Sequence, residues 1–254
     1  MAKKEKSKIV RYVLIIVVVL IVLESLSFLA IKNLPNKTEE IQEDTRESFI
    51  TGGNSTIIRM KIPAVDADGK GVATILQVEA IRGNGRTLTD IENLLFWADT
   101  QQSIRMAKLV AGNITGINLN NYDLIYSIEA NASLIGGPSA GAALAIATIF
   151  ALKGEKFNEN AMISGTINHD GSIGPVSAIL EKAKASKEAN ATIFLVPLLQ
   201  SRDVTYETKQ HCQKFGYSEI CQEESIPRKI NVSEEAGISV IEVASIEEAL
   251  RYFS

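Results

Sequence analysis

A mixed α/β (α+β) fold is predicted from three features of this 254-residue sequence. Two segments rich in β-branched residues, 55–65 (STIIRMKIPAV) and 71–81 (GVATILQVEAI), alternate as strands do and flank a turn at 66–71. The run from Ala140 to Leu152 is apolar on all sides, which predicts a buried helix that Gly154 closes. Because the predicted strands and helices alternate in no strict order, the pattern favours mixed layers over a purely parallel sheet.

The other elements are assigned from the same periodicities and from turn and cap residues. They are a helix within 87–112, at least in its second half; a strand at 122–130; a hairpin from 161–167 and 172–176 with Asp170-Gly171 in its turn; a helix at 177–189; strands at 191–197 and 237–243; and a last helix with a capping box from Ser245 and Glu248. Residues 198–236 are polar and are predicted to be irregular.

The N-terminal region is typical of a membrane anchor. Residues 1–11 carry five Lys or Arg and a single Glu, and the 20 residues 12–31 are apolar with Glu24 as their sole charge. Cationic residues before the span predict a cytoplasmic N-terminus and an extracytoplasmic domain. A cleaved signal peptide with Ser25-Leu26-Ser27 as its small-x-small site is the alternative, and it exports the chain equally.

The domain boundaries follow from composition. We expect a basic N-terminus at 1–11, an anchor at 12–31, a polar linker at 32–54 and the folded domain at 55–254.

The two cysteines, Cys212 and Cys221, could form a local disulfide outside the cell, and they are too few to bind zinc. The excess of acidic residues after the N-terminus excludes a nucleic-acid footprint. Six N-x-S/T sequons agree with export: Asn36, Asn54, Asn113, Asn131, Asn190 and Asn231.

The stretch IGGPSAGAALAIA (135–147) places Ser139 at the mouth of the predicted buried helix. Unpaired amides at a helix N-terminus can hold a carbonyl oxygen as it gains negative charge, so Ser139 is a candidate nucleophile. A helix N-cap and a glycine-rich phosphate cradle are the alternatives. No G-x-x-x-x-G-K-[ST] occurs in the sequence, which excludes a P-loop.

A serine nucleophile needs a base. His169 and His211 have no neighbouring carboxylate that the sequence can place, so a lysine with a lowered pKa is the other option. Lys184 and Lys187 lie on charged or boundary positions of the helix 177–189. The residues three and four positions from Lys182 are small or apolar: Ala178, Ile179, Ala185 and Ser186. Of the three lysines, Lys182 is therefore the one that lies within an apolar stripe of the helix.

A family resemblance rests on five segments in order: GGPSAGAALAIA, ISGTI, DGSIGPVSAILEKAKAS, ATIFLVP and VIEVASIEEAL. Together they resemble the proteolytic domain of Lon proteases (peptidase family S16), clearly over 120–254 and faintly over 55–119. The resemblance implies the ribosomal-protein-S5-domain-2-like fold and a Ser–Lys dyad. Lys182 follows Ser139 by 43 residues, which is the family's dyad spacing. By the same resemblance, Ser164 supports the lysine. We expect backbone amides near Ser139, together with that of Gly137, to receive the oxyanion, and Ala140 to be a further supporting residue.

Some positions depart from the family pattern: Gly136 replaces a common Asp, Ser177-Ala178 a Gly-Gly pair, and Thr166 a usual Glu. The resemblance is closest to membrane-tethered Lon-like proteases that lack an ATPase module. It therefore implies an ATP-independent endopeptidase without a cofactor, which acts on peptides or unfolded proteins and can assemble into a hexameric ring. An inactive Lon-fold module that binds partners at the membrane, and a small-molecule binder, are the competing hypotheses.

Overall fold

The computed structural model describes residues 49–53, 55–90, 95–96, 98–129, 134–135, 137–215 and 218–254. They belong to a compact unit that reaches the end of the chain. The predicted anchor at 12–31 and the sequons at Asn36, Asn54 and Asn131 lie outside these residues. Within the described residues, no helix combines the length and apolar character that a membrane crossing requires.

The larger sheet is built on the two strands that the sequence predicted. Residues 55–65 and 71–82 pair antiparallel in the register Ser55↔Ile81 to Val65↔Gly71. An Asx turn joins them, because the Asp66 carboxylate accepts hydrogen bonds from the backbone of Asp68 and Lys70. The sheet has the order β1-β2-β3-β6-β4, with strands β1 (Phe49–Gly52), β2 (Ser55–Val65), β3 (Gly71–Arg82), β4 (Thr87–Thr89) and β6 (Tyr122–Glu129).

The smaller sheet is parallel, with the order β14-β11-β8. Its strands are β8 (Ala161–Ile163), β11 (Ile193–Pro197) and β14 (Ser239–Val243). Since the carboxyl ends of parallel strands share one edge, the residues that follow β8 and β11 meet there. Short strand pairs are also present: β5 (Leu95–Phe96) pairs with β7 (Leu134–Ile135), and β9 (Thr166–Ile167) pairs with β10 (Ile173–Gly174).

Within the part of the chain that the structure describes, five α-helices accompany the sheets: α1 (Ala98–Thr115), α2 (Gly141–Lys153), α3 (Ile179–Glu188), α4 (Val232–Ala236) and α5 (Ile246–Phe253). Helix α2 is buried from Gly141 to Leu152 and ends at Gly154, which has the left-handed φ of 68°. This confirms the buried helix that the sequence predicted. The larger core joins α1 and α2 to the five-stranded sheet, and a smaller core joins α3 to β11 and α4.

Three predicted boundaries differ from the structure. Residues 87–89 form β4, which pairs with β6, so the helix begins only at Ala98 and continues past Gly112 to Thr115. Strand β8 pairs with β11, and the predicted hairpin is confined to β9 and β10. Phe49 begins a strand that pairs with Ile58, so the folded unit starts before Ser55. In the first two cases pairing between distant segments overrides local preference, whereas in the third β1 forms a local hairpin with β2.

The prediction of an irregular segment at 198–236 was wrong. Strands β12 (Arg202–Phe215) and β13 (Ser218–Asn231) form a long antiparallel hairpin, called here the hairpin arm. Cys212 and Cys221 face each other across it and form a disulfide. Most described side chains of the arm are exposed on both faces. The apolar alternation that reveals a half-buried strand is therefore absent from the sequence.

Candidate active site

Ser139 lies in a 3₁₀ turn, Pro138–Ala140, that leads into α2. The turn begins at Gly137, whose φ of 100° and ψ of 142° favour a residue without a Cβ. Ala140 occupies the N-cap of α2, and no side chain caps that helix. The N-cap interpretation of Ser139 is therefore wrong, and Ser139 is a partly exposed residue whose hydroxyl does not cap the helix.

The main chain of Ser139 is anchored to the residues that follow β8. Its carbonyl oxygen accepts hydrogen bonds from the Gly165 amide at 3.0 Å and from the Ser164 hydroxyl at 3.3 Å. The Gly165 carbonyl in turn accepts from the Ala142 amide at 3.0 Å. These bonds fix the start of α2 against the edge of the parallel sheet.

Ser164 is 1% exposed and lies beside the nucleophile's turn. Its amide donates to the Leu195 carbonyl at 3.1 Å, which holds it at the carboxyl edge of β8 and β11. The family resemblance implied a hydrogen bond from Ser164 to Lys182. In the structure the hydroxyl donates to the Ser139 carbonyl instead.

Lys182 is 3% exposed, whereas Lys184 and Lys187 on the same helix are exposed. Burial lowers the pKa of Lys182 from 10.5 to about 8, because an apolar environment disfavours the charged ammonium. Among the described residues, no carboxylate forms an ion pair with Lys182. An appreciable fraction of the side chain is therefore neutral near pH 8 and able to accept a proton.

The residue that precedes α3 has an unusual backbone conformation. Ala178 has a φ of 55° and a ψ of 46°, the left-handed region that glycine adopts without cost. Its carbonyl accepts the Lys182 amide at 3.1 Å, so this conformation directs the first turn of the lysine's helix. The Ser186 hydroxyl donates to the Lys182 carbonyl at 2.8 Å and holds the next turn.

Within the described part of the chain, no hydrogen bond joins either histidine to Ser139. His169 is exposed in the turn between β9 and β10. His211 lies on the hairpin arm, where its Nε2 is 3.7 Å from a carboxylate oxygen of Glu224. Lys182 thus stays the candidate base, and the structure adds a burial that the sequence could only suggest.

Asp99 is a residue at the site that the sequence did not reveal. Its Oδ2 accepts a hydrogen bond from the Gly137 amide at 2.9 Å. The amide proposed for the oxyanion is therefore engaged in this structure. An acidic residue in the first turn of a helix is the signal that could have found Asp99, but no cap residue in the sequence marks the start of α1 clearly.

Glycines allow the segments around Ser139 to approach closely. A Cβ on Gly141 would lie 2.9 Å from the Ile167 amide, and a Cβ on Gly165 would lie 2.4 Å from the Ile173 side chain. The small residues of the motif are therefore required by packing between α2, β9 and β10.

Comparison with known proteins confirms the family resemblance. Residues 99–221 match the Lon protease (S16) C-terminal proteolytic domain. The Lon protease of Methylocella silvestris is 31% identical over 135 residues, which are 51% of this chain and 16% of that protein. The Lon protease of Phenylobacterium zucineum is 29% identical over 171 residues, 62% of this chain and 21% of that protein. The archaeal Lon protease of Methanothermobacter thermautotrophicus is 25% identical over 109 residues, 43% of this chain and 17% of that protein. The chain thus spans at most about a fifth of the length of these relatives.

Proposed function

From the match of residues 99–221 to the Lon proteolytic domain, we propose that this chain is a serine endopeptidase with a Ser139–Lys182 dyad. The observation that carries the proposal is the buried Lys182, with its lowered pKa, in the domain that presents a partly exposed, non-capping Ser139. A lysine acts as general base only when neutral, and burial without an ion-pair partner produces that state.

The reaction proceeds through an acyl-enzyme. Ser139 Oγ attacks the scissile carbonyl carbon, and its proton passes to Lys182 Nζ. The ammonium then protonates the leaving amine as the C–N bond breaks. Water then attacks the resulting ester while Lys182 Nζ takes its proton; the bond to Ser139 Oγ breaks, and the lysine returns the proton to that oxygen as the new carboxyl group is released.

The negative charge that develops on the carbonyl oxygen needs donors on the Ser139 turn. In a 3₁₀ turn the bonds run from residue i+3 to residue i, which pairs the Ala140 amide with the Gly137 carbonyl. The Ser139 amide is left without a partner within the turn, and we assign it as the oxyanion donor. Gly137 and Ala140 support the site by shaping this turn, and Ser164 by holding the Ser139 carbonyl.

We also propose that the domain acts outside the cytoplasm, tethered by residues 12–31, and cleaves unfolded polypeptides without ATP. The basic residues 1–11 and the Cys212–Cys221 disulfide support the location, since disulfides persist in oxidising compartments. The lack of a P-loop sequence in the chain supports independence from ATP. We also propose that copies of this chain assemble into a ring, and the family resemblance is the sole support for this part of the proposal.

A second candidate is an inactive Lon-fold module that binds partners. The observation in its favour is the strained Ala178 before the lysine's helix, where the family has glycine. The burial of Lys182 argues for the enzyme, because a cation without an ion-pair partner costs stability that a binding module has no reason to retain.

The decisive experiment is covalent labelling of the full chain with a serine-directed phosphonate, followed by mass spectrometry. The peptidase is expected to be modified at Ser139, and the S139A variant to stay unlabelled. Cleavage of an unfolded protein should occur at the same rate with and without ATP. An unlabelled wild-type chain would favour the binding module, and cleavage only with ATP would point to a separate ATPase partner.

A further inference from the structure

The turn that carries Ser139 is held at two points. On one side the Ser139 carbonyl is bound by Gly165 and Ser164. On the other side the Gly137 amide donates to Asp99 Oδ2 at 2.9 Å, across 38 residues of sequence. The second anchor links the turn to α1 and is independent of the parallel sheet.

Asp99 is itself fixed in the first turn of α1. Its Oδ1 accepts the Thr100 amide at 2.7 Å, and its carbonyl oxygen accepts the Ser103 hydroxyl at 3.0 Å. The unpaired amides at the start of a helix favour a carboxylate there. The two oxygens of one carboxylate thus bridge the start of α1 and the start of the Ser139 turn.

Gly137 is the position where such an anchor has most effect. A glycine populates a wide range of φ and ψ, and its observed conformation is only one of several that it could adopt without strain. A hydrogen bond from its amide to a charged acceptor is stronger than one to a neutral acceptor and selects a single orientation of the peptide. Because Pro138 and Ser139 follow directly, this orientation also sets the direction of the Ser139 side chain.

We infer that Asp99 is a positioning residue for the peptidase reaction, acting through Gly137 to hold the nucleophile's turn in the conformation that exposes Ser139. The inference rests on the proposed function and adds to it a residue outside the dyad. Among the hydrogen bonds of the described residues, none joins Asp99 to Ser139 Oγ or to Lys182, so Asp99 acts on the reaction through the main chain at Gly137.

Three full-length variants test the inference. D99A removes the acceptor, whereas D99N keeps an oxygen acceptor and removes the charge. E247A is the matched control, because Glu247 is an exposed acidic residue in the first turn of α5. Thermal unfolding first establishes that each variant is folded.

The first measurement is amide hydrogen exchange of the peptide that contains Gly137 to Gly141, which requires no activity. Exchange at Gly137 should be about tenfold faster in D99A and close to wild type in D99N and E247A, since D99A alone loses the side-chain oxygen that accepts the Gly137 amide. Unchanged exchange in folded D99A would show that Asp99 does not hold the turn, and would overturn the inference.

The second measurement is the rate at which the phosphonate labels Ser139. D99A should be labelled about tenfold more slowly, and D99N within about threefold of wild type, because the neutral oxygen still accepts the Gly137 amide. Labelling of D99A at the wild-type rate or faster contradicts the inference. If wild type is not labelled at all, the proposed function fails, and the exchange measurement still decides whether Asp99 holds the turn.

Discussion

The buried hydroxyl of Ser164 donates a hydrogen bond to the carbonyl oxygen of Ser139, at 3.3 Å and across 25 residues of sequence. The Gly165 amide binds the same oxygen at 3.0 Å. The residue after β8 therefore acts on the main chain of the proposed nucleophile. This arrangement makes the position of Ser139 depend on the parallel sheet as well as on its own helix.

Replacement of Ser164 by Ala should lower kcat/KM about threefold to tenfold, because one of the two hydrogen bonds to the Ser139 carbonyl is lost. The matched control is S233A. Ser233 is a partly buried serine on α4, and its hydroxyl also donates to a main-chain carbonyl, that of Ile238, at 2.7 Å. Peptide hydrolysis by both variants, with thermal unfolding beside it, is the measurement. An S164A enzyme with unchanged kcat/KM, or an equal loss in S233A, would remove Ser164 from the site.

The pH dependence of hydrolysis should follow Lys182. With a pKa of about 8, its neutral fraction rises about tenfold between pH 7 and pH 9, and kcat/KM should rise with it.

K182M and K182R should both abolish turnover, since neither offers a neutral amine at these pH values. K184M, on the exposed side of α3, should keep near-normal activity. A flat pH profile between pH 7 and pH 9 would contradict the role of Lys182 as base.

The stability of the fold should depend on pH through the same residue. The folded pKa of Lys182 lies below the ordinary value of 10.5, so between about pH 8 and pH 10.5 the unfolded chain binds the additional proton. The cost of burying the charged Lys182 ammonium is fully present below pH 8. The free energy of unfolding therefore rises as the pH increases from about 8 to 10.5. K182M removes the buried charge and should raise the free energy of unfolding at pH 7 by up to about 3 kcal/mol.

Urea unfolding of K182M and K184M at pH 7 and pH 10 gives the comparison. The stability difference between K182M and wild type should shrink at pH 10, whereas K184M should show no such trend. Equal stability of K182M and wild type at pH 7 would mean that Lys182 is not charged and buried at the same time.

The disulfide should stabilise the hairpin arm without affecting catalysis. Closing the loop between Cys212 and Cys221 restricts the unfolded chain, and its loss should cost at most about 2–3 kcal/mol, confined to the arm. The double variant C212S/C221S should show faster hydrogen exchange within β12 and β13 and unchanged phosphonate labelling of Ser139. A parallel loss of labelling would connect the arm to the active site.

Topology is tested by a protease added from outside. In intact cells or right-side-out vesicles, residues 55–254 should be digested, because the basic residues 1–11 predict a cytoplasmic N-terminus. A cytoplasmic marker protein in the same sample should stay protected. Digestion only in inverted vesicles would place the domain in the cytoplasm.

Local patterns predicted the parts of the fold whose signal lies within a few residues. The alternation in 55–65 and 71–81 predicted β2 and β3, and the apolar run with Gly154 predicted α2. The Ser245 hydroxyl accepts the Glu248 amide as a capping box requires, although the Glu248 carboxylate reaches the Ala244 amide instead of that of Ser245. The sequence did not predict the hairpin arm, because its strands are exposed on both faces and carry no apolar alternation.

For the candidate site, the sequence by itself determined the chemistry available: a serine between small residues, and a lysine set into an apolar stripe 43 residues later. Only the tertiary structure decided what surrounds these groups. The 3% exposure of Lys182 depends on strands from the other half of the domain, which pack on α3 and are distant in sequence. The bonds from Asp99 to Gly137 and from Ser164 to Ser139 join segments 38 and 25 residues apart. Burial and long-range hydrogen bonds arise from packing between elements, and no periodicity within a single element records them.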